Sequence, residues 1–391
     1  MISSLKSALD TFPTVSLMSQ PTPVARLERL EKACGADKRG IRIYVKRDDL
    51  GDTGGGGNKL RKLAFLLGEA LATNVDTVIA MGGIQSNHAR LTAAACAKLG
   101  LSCELLLADM VPVPGTDYHE GGNVLLDRIF GARMTFLPTG SDVMGIANAR
   151  AAELTAQGKR AMVIPTGGSS PLGALGYASC AHEILAFEAG SGIEFNHVVV
   201  PNGSSATQAG LVAGFQIAAQ RGKIVQAYSV LLDQPSTHAK TVHLVEEALA
   251  LLGASGTPFD KQADVLVHGE YRGDAYGIPT QAMIDAVQLL ARTEGLLLDP
   301  VYSGKAFSGL LADIATDRFS PNSNVLFIAT GGTPGLFAYR STFAAEPAAA
   351  TRGDRAGKGW NGGKSAASPA EPDTGKSSGA AGGKRRARAP R

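Results

Sequence analysis

The 391-residue sequence predicts an α/β protein built on open, mostly parallel sheets covered by helices. Two observations carry that prediction. Short apolar runs ending in glycine or polar residues alternate with helix-spaced patterns from Ile41 to Ala329. Small polar junctions, rich in Gly, Ser and Thr, follow several of those runs, as they do where parallel strands meet ligands. Composition agrees: 44% hydrophobic and 19% charged residues suit a globular chain with a sizeable core.

Taken in order, Ile41–Lys46 alternates like a strand, and residues 59–73 carry helical spacing. Further strands are expected at 77–81, 101–108, 133–137, 161–165, 197–201, 224–230, 263–268 and 324–329. Helices are expected at 87–99, 117–130, 142–157, 172–189, 207–221, 237–252, 280–294 and 304–316. Apolar runs that do not alternate read as strands buried on both faces, as in a parallel sheet. No internal repeat of fixed period occurs.

The net charge of +3 hides an uneven distribution. Residues 346–391 hold ten Lys/Arg against four Asp/Glu, which leaves the preceding body near −3. That tail is Ala-, Gly-, Pro- and Ser-rich, with almost no large apolar residue, and is expected to be disordered. Trp360 is its one aromatic residue, so the interleaved aromatics of a nucleic-acid-binding segment are missing, and nucleic acid is not an expected partner. No apolar run approaches the roughly 18 residues that span a bilayer. Met1 to Gln20 lacks the apolar core of a secretory signal. The four cysteines (Cys34, Cys96, Cys103, Cys180) have no CxxC spacing, so neither zinc nor disulfides are expected, and a reducing cytoplasm is.

Gly54-Gly-Gly-Gly-Asn-Lys59 ends on a lysine that opens a helical pattern. A nucleotide phosphate loop needs Gly before and Ser or Thr after that lysine, whereas Asn58 and Leu60 stand there. Lys59 by itself is then either a solvated side chain or a Schiff-base nucleophile. Val198 to Leu211 reads as a buried strand, a small-residue loop and a helix start, whose N–H groups from Gly203 through Ser204, Ser205 and Ala206 to Thr207 could cradle one phosphate. A plain strand–helix turn explains the same letters. Gly82-Gly-Ile-Gln-Ser-Asn-His-Ala-Arg90 sets Ser86, Asn87 and His88 at a helix start suited to a carboxylate, or to an Asn87 cap and a surface histidine. Asp299-Pro-Val-Tyr-Ser-Gly-Lys305 and Phe327-Ile-Ala-Thr-Gly-Gly-Thr-Pro334 are two more polar clusters, with Tyr302 a candidate acid/base or a packing residue.

Together, KRDDL, GGNKLRKL, GGIQSNHAR, IPTGGSSPLGALGY, GSSATQAGL, LLDPVYSGKA and TGGTPGLFAY, in that order, resemble the fold-type-II pyridoxal-phosphate enzymes. The resemblance is to the group of D-cysteine desulfhydrase and 1-aminocyclopropane-1-carboxylate deaminase, and it spans Pro21 to Tyr339. It implies pyridoxal phosphate as cofactor, a small amino-acid substrate, no membrane and a homodimer. It also implies two domains, the large one from 1–62 and 172–345 and the small one from 63–171.

Residue by residue, the resemblance makes Lys59 the Schiff-base lysine and Asn87 the partner of the cofactor's 3′ oxygen. Gly203, Ser204, Ser205, Ala206 and Thr207 become the phosphate loop, although family members more often carry glycine where Ser205 and Ala206 stand. Ser86 and His88 face the substrate carboxylate, Tyr276 and Tyr302 are active-site tyrosines, and Ser303 and Thr330 lie near the pyridine nitrogen. The glycine run before Asn58 also departs from many members, which have a longer stretch there.

The resemblance implies a β-elimination that turns D-cysteine into pyruvate, sulfide and ammonia. The cyclopropane deaminase is the alternative, and its resemblance would call for a glutamate at Ser303, whose full negative charge a hydroxyl cannot supply. A cysteate sulfo-lyase is a third reading, without a visible basic group for the sulfonate. A protein that holds the cofactor without turnover is the reading from a different class, against which the lysine, the serine and both tyrosines count.

Overall fold

The computed structural model describes residues 2–220 and 222–344, so the tail expected at 346–391 lies outside the described residues. Its helices are α1 (Ile2–Leu9), α2 (Glu28–Cys34), α3 (Lys59–Ala72), α4 (Asn87–Leu99), α5 (Thr116–Glu120), α6 (Gly122–Ile129) and α7 (Val143–Ala156). They continue with α8 (Pro171–Ser191), α9 (Ala206–Ile217), α10 (Gln234–Leu251), α11 (Gln281–Glu294), α12 (Ser303–Ala315), α13 (Pro334–Ala338) and α14 (Arg340–Ala344).

Two sheets organise them. The larger runs β1 (Val24–Arg26), β2 (Arg42–Lys46), β10 (Asn324–Ile328), β7 (His197–Asn202), β8 (Ile224–Ser229) and β9 (Val265–His268) in spatial order. Only the β1–β2 pair is antiparallel; Val325, for instance, lies opposite Ile43 on one side and His197 on the other, in parallel register. The smaller sheet is wholly parallel and runs β5 (Arg133–Leu137), β4 (Ser102–Ala108), β3 (Thr77–Gly83), β6 (Ala161–Ile164). The fold is α/β, as the alternation predicts.

The inner strands are covered on both faces, which is why they read as continuous apolar runs. Val198 and Val200 pack with Ala209, Leu211 and Val212 of α9 on one side, while Val199 joins Phe307 and Leu310 of α12 on the other. In the small sheet, Val78, Ala80, Leu105 and Leu107 pack with Leu63, Leu67 and Leu91. Two expected features differ. The helix at 117–130 is broken into α5 and α6, because Gly121 is extended and Gly122 takes a φ of 54°. Helices α1 and α2 and the three-residue strand β1 have no counterpart among the expected elements.

Helix α3 is tied down by a buried charge cluster two residues beyond its first. Arg61, fully buried, donates to both oxygens of Asp48 at 2.7 and 2.8 Å and to both oxygens of Glu183 at 2.8 and 2.9 Å. Burial is the largest influence on the Asp48 carboxyl and would raise it, but the Arg61 charge and hydrogen bonds, the Lys46 charge and the Thr22 hydroxyl together outweigh it and hold it below its ordinary range. Breaking such a pair strands a buried charge and costs about 3–5 kcal/mol. No helix among the described residues is long and apolar enough to cross a membrane.

Candidate active site

One cavity opens beyond the carboxyl ends of strands from both sheets. Gly83 closes β3, Met110 and Thr166 follow β4 and β6, Asn202 closes β7, and Leu231 and Thr330 follow β8 and β10. Parallel strands aim their last residues and the next helix's free N–H groups at one place, which is why this edge collects ligand-binding groups.

Lys59 is the first residue of α3 and lines this cavity. It is half-buried. Enclosure lowers the amine from its ordinary value to about 8, with the Asp299 charge opposing. The preceding residues are pinned: Asn58 donates its backbone N–H to the Thr330 carbonyl at 3.0 Å and its side-chain amide to Thr207 Oγ1 at 3.3 Å.

The four glycines before Asn58 have φ values of 61°, 77°, 75° and 134°, all in the region that favours glycine. A Cβ on Gly54 would stand 2.6 Å from Ala94 Cβ, and one on Gly56 would overlap the Asp49 carbonyl. The run is therefore a tight, left-handed segment packed against α4 as well as clearance around the lysine.

At the start of α4, Ser86 rather than Asn87 is the helix cap, accepting the Ala89 N–H at 3.2 Å. Ser86, Asn87 and His88 all line the cavity. Asn87 accepts at its side-chain oxygen from Asn123 Nδ2 at 2.9 Å, which leaves its amide N–H groups to donate. Asn123 is itself fully buried and fixed through Gln85, whose carbonyl and side-chain oxygens accept at 3.1 and 2.9 Å. Burial, then the nearby Lys59 and Lys62 charges, pushes the His88 imidazole well below its ordinary value, so it is neutral, and neither ring nitrogen has a partner.

The loop between β7 and α9 contributes Gly203, Ser204 and Ser205 to the cavity wall, and Thr207 in the first turn of α9 joins them. Ser205 takes a φ of 80°, unusual for a residue with a side chain and readily adopted by glycine, the residue that the resemblance leads one to expect there. Its N–H donates to Asn202 Oδ1 at 3.0 Å, and its buried hydroxyl has no partner. Ala206 begins α9 and does not line the cavity. Ser204 accepts from Ser169 at 2.7 Å, a link to the loop after β6.

Tyr276 and Tyr302 face each other across the opening, hydroxyl to hydroxyl at 2.6 Å. Burial raises both phenols, Tyr276 to about 12, so they are protonated donors at neutral pH. Ser303 is a different matter. Its side chain is fully buried outside the cavity lining and is spent on Asp299, to which it donates at 2.5 Å while accepting the Asp299 N–H at 2.9 Å. Asp299 in turn accepts the N–H groups of Val301, Tyr302 and Ser303. Of the two residues expected near a pyridine nitrogen, Thr330 lines the cavity and Ser303 does not.

A family model of pyridoxal-phosphate-dependent enzymes matches residues 15–331. The chain belongs to that family. The D-cysteine desulfhydrase of Serratia proteamaculans (strain 568) is 41% identical over 338 residues, covering 86% of this chain and 98% of the relative. That of Salmonella typhi is 40% identical over 331 residues, covering 85% and 97%. A solved structure described as an ACC deaminase homologue superposes with a TM-score of 0.77 at 33% identity, covering 88% of this chain and 99% of its own. The chain is thus a pyridoxal-phosphate-dependent lyase of the desulfhydrase and deaminase group.

The cavity fits that cofactor on its own chemistry. It offers an amine lowered to about 8, a small-residue loop with an unpartnered buried hydroxyl at a helix start, and an asparagine turned to donate. Asn58, Asn202, Thr166, Met110 and Leu231 also line the cavity and were not singled out from the sequence. Asn58 and Thr166 sit inside the quoted motifs, and Asn202 inside the stretch from Val198 to Leu211, and could have been; Met110 and Leu231 carry no local signal.

Proposed function

We propose that the enzyme catalyses β-elimination of D-cysteine to pyruvate, sulfide and ammonia. The observation that carries this is the charge inventory of the cavity. Among the described residues lining it there is no carboxylate, and Lys59 is the one cation. Without a carboxylate, no lining group supplies the full charge that ring opening of the cyclopropane substrate calls for at the pyridine nitrogen. Without a second cation, the sulfonate of cysteate has no counter-charge, since His88 is neutral. Cysteine brings only the carboxylate and amine common to all amino acids, plus a thiol.

Bound pyridoxal phosphate would supply the electron sink, held by Lys59, Asn87, Thr330 and the loop from Gly203 to Thr207. Ser86 and His88, at the start of α4, hold the substrate carboxylate against the helix N-terminus. The Lys59 amine takes the Cα proton, a role suited to a group lowered toward neutrality. The paired Tyr276 and Tyr302 hydroxyls give a proton to the departing sulfur, for which protonated phenols are the right form. The overall balance is D-cysteine and water to pyruvate, hydrogen sulfide and ammonia.

A homodimer in the cytoplasm and the two-domain division at residues 63 and 172 belong to the same reading. The dimer is supported by an exposed apolar surface that includes Leu297 and Phe337, beside the half-buried Phe343, and the division by the small sheet's lying wholly within 77–164. The four free thiols fit a reducing compartment. A panel of D-cysteine, L-cysteine, the cyclopropane acid and cysteate, assayed for sulfide, 2-oxo acid and sulfite, tests the reaction. Faster 2-oxobutyrate or sulfite formation than sulfide release overturns it.

A further inference from the structure

Arg90 is buried without the partner a buried guanidinium ordinarily has. It is fully shielded from solvent, yet its one hydrogen bond donates from Nη2 to the Gly56 carbonyl at 2.7 Å. Its Nε and Nη1 have none. Asp127 on α6 is equally buried, and both of its oxygens are also unpartnered. Burying a charge is costly unless it is paired. Here the charge is spent on a loop carbonyl while a carboxyl group nearby goes unused.

That carbonyl belongs to the segment that sets Lys59. Arg90 Nη2 lies 3.4 Å from where a Cβ on Gly57 would stand, so the guanidinium backs the chain two residues before the lysine. On the other side, Asn58 is fixed to Thr330, just after β10 of the large sheet, and to Thr207 in the first turn of α9. Arg90 also sits one helical turn after Ser86 and Asn87, at the cavity end of α4.

We propose that Arg90 is a positioning residue for Lys59, coupling the carboxylate-holding end of α4 to the lysine loop through the Gly56 carbonyl. The proposal rests on Lys59 being the reactive amine. With Arg90 removed, the helix and its serine cap persist, but the loop loses its small-sheet anchor and the amine its fixed approach. A misplacement near 1 Å costs about 10²-fold in rate.

The test compares wild type, Arg90→Met, Arg90→Lys and Asp127→Asn, each stripped of cofactor and reloaded with pyridoxal phosphate while the visible absorbance is followed. Arg90→Met is expected to load about 10²-fold more slowly, and to lose kcat more than it changes KM. Its circular dichroism is expected to stay that of wild type. Arg90→Lys, whose amine can still donate to Gly56, restores much of the loading rate, and Asp127→Asn loads as wild type does. Wild-type loading and kcat in Arg90→Met overturns the proposal. So does a loss that tracks only the folded fraction, or a well-folded Arg90→Lys as slow as the methionine variant. If Arg90→Met does not fold, the shorter, uncharged Arg90→Gln takes its place with the same two readouts, and wild-type loading and kcat in it overturn the proposal. A wild-type protein that never loads, or that loads equally as Lys59→Ala, overturns instead the assignment of Lys59.

Discussion

Ser303 donates its hydroxyl to Asp299 at 2.5 Å and accepts the Asp299 N–H at 2.9 Å, closing a two-way clasp around the residue that precedes α12. Because Asp299 also accepts the Tyr302 N–H at 2.8 Å, the clasp holds the backbone of an active-site tyrosine. The sequence suggests Ser303 as the switch between two reactions, with glutamate favouring ring opening. In the folded chain, a glutamate there would press a second carboxylate against Asp299 in a buried place. Ser303→Glu is therefore expected to lose about 3 kcal/mol or more of stability. It is expected to gain no 2-oxobutyrate formation from the cyclopropane acid; a gain, measured with an unchanged thermal midpoint, contradicts this.

The Lys59 amine, lowered to about 8 by enclosure, is mostly protonated at pH 7 and mostly free base at pH 9. A nucleophilic amine reacts only in its free form. The rate at which cofactor-free protein takes up pyridoxal phosphate should rise through about pH 8 and then level, and Lys59→Ala should abolish it. A stopped-flow absorbance series between pH 6 and 10 reads both; a flat profile refutes the assigned amine.

Tyr276 and Tyr302 share one short hydrogen bond, so each phenylalanine substitution removes one hydroxyl from the pair while keeping the ring. Loss of a positioned acid costs about 10²–10⁴-fold. Sulfide release from D-cysteine by Tyr276→Phe and Tyr302→Phe should fall in that range, while cofactor uptake in either variant stays near that of wild type.

Asp127 gives a pH signature away from the cavity. Burial raises its carboxyl to about 8, with the Arg90 charge opposing. A raised folded-state value means that the stabilising contribution is complete below the unfolded value near 4. It is then lost as pH rises through about 8. Thermal midpoints of wild type should decline over that window, and Asp127→Asn should flatten the decline. Parallel curves for the two proteins would show that Asp127 is not the titrating group.

Ser205 holds a φ of 80° that glycine adopts without strain. Ser205→Gly is expected to gain about 1 kcal/mol of stability, the rough cost of such a conformation for a residue with a Cβ. Calorimetry of the cofactor-free protein measures it. A loss would mean that the buried hydroxyl matters more than the backbone.

What the sequence makes legible is what repeats locally. Buried parallel strands such as Val198–Val200 announce themselves as apolar runs, and Lys59, Ser86, Asn87, Thr207 and Thr330 stand in polar segments at element ends, so the cavity's main groups are found by reading along the chain. Alternation fails for short pieces: β1 has three residues and α2 seven, too few for a period to emerge. It also overruns the break at Gly121 and Gly122, since glycine inside a helical pattern carries no sign of its φ. Ser303 shows the deeper limit. Its place in a polar motif is visible, but which way the hydroxyl turns is decided by Asp299, four residues back on the same bend. Arg90, Asp127 and Asn123 are hidden for the same reason, because their roles arise only when separate elements meet.

The glycine run before Asn58 looks like filler in the sequence, four copies of one letter. Its positions are nonetheless not interchangeable. A side chain at Gly54 would collide with α4, and at Gly56 with the Asp49 carbonyl; at Gly57 it would crowd Leu91 and the Thr330 carbonyl, while Gly55 has open space around it. A stretch of minimal complexity thus carries four separate instructions, three steric and one purely torsional. Gly55 is the one place in the loop where a reporter group could be attached at the cost of backbone strain alone.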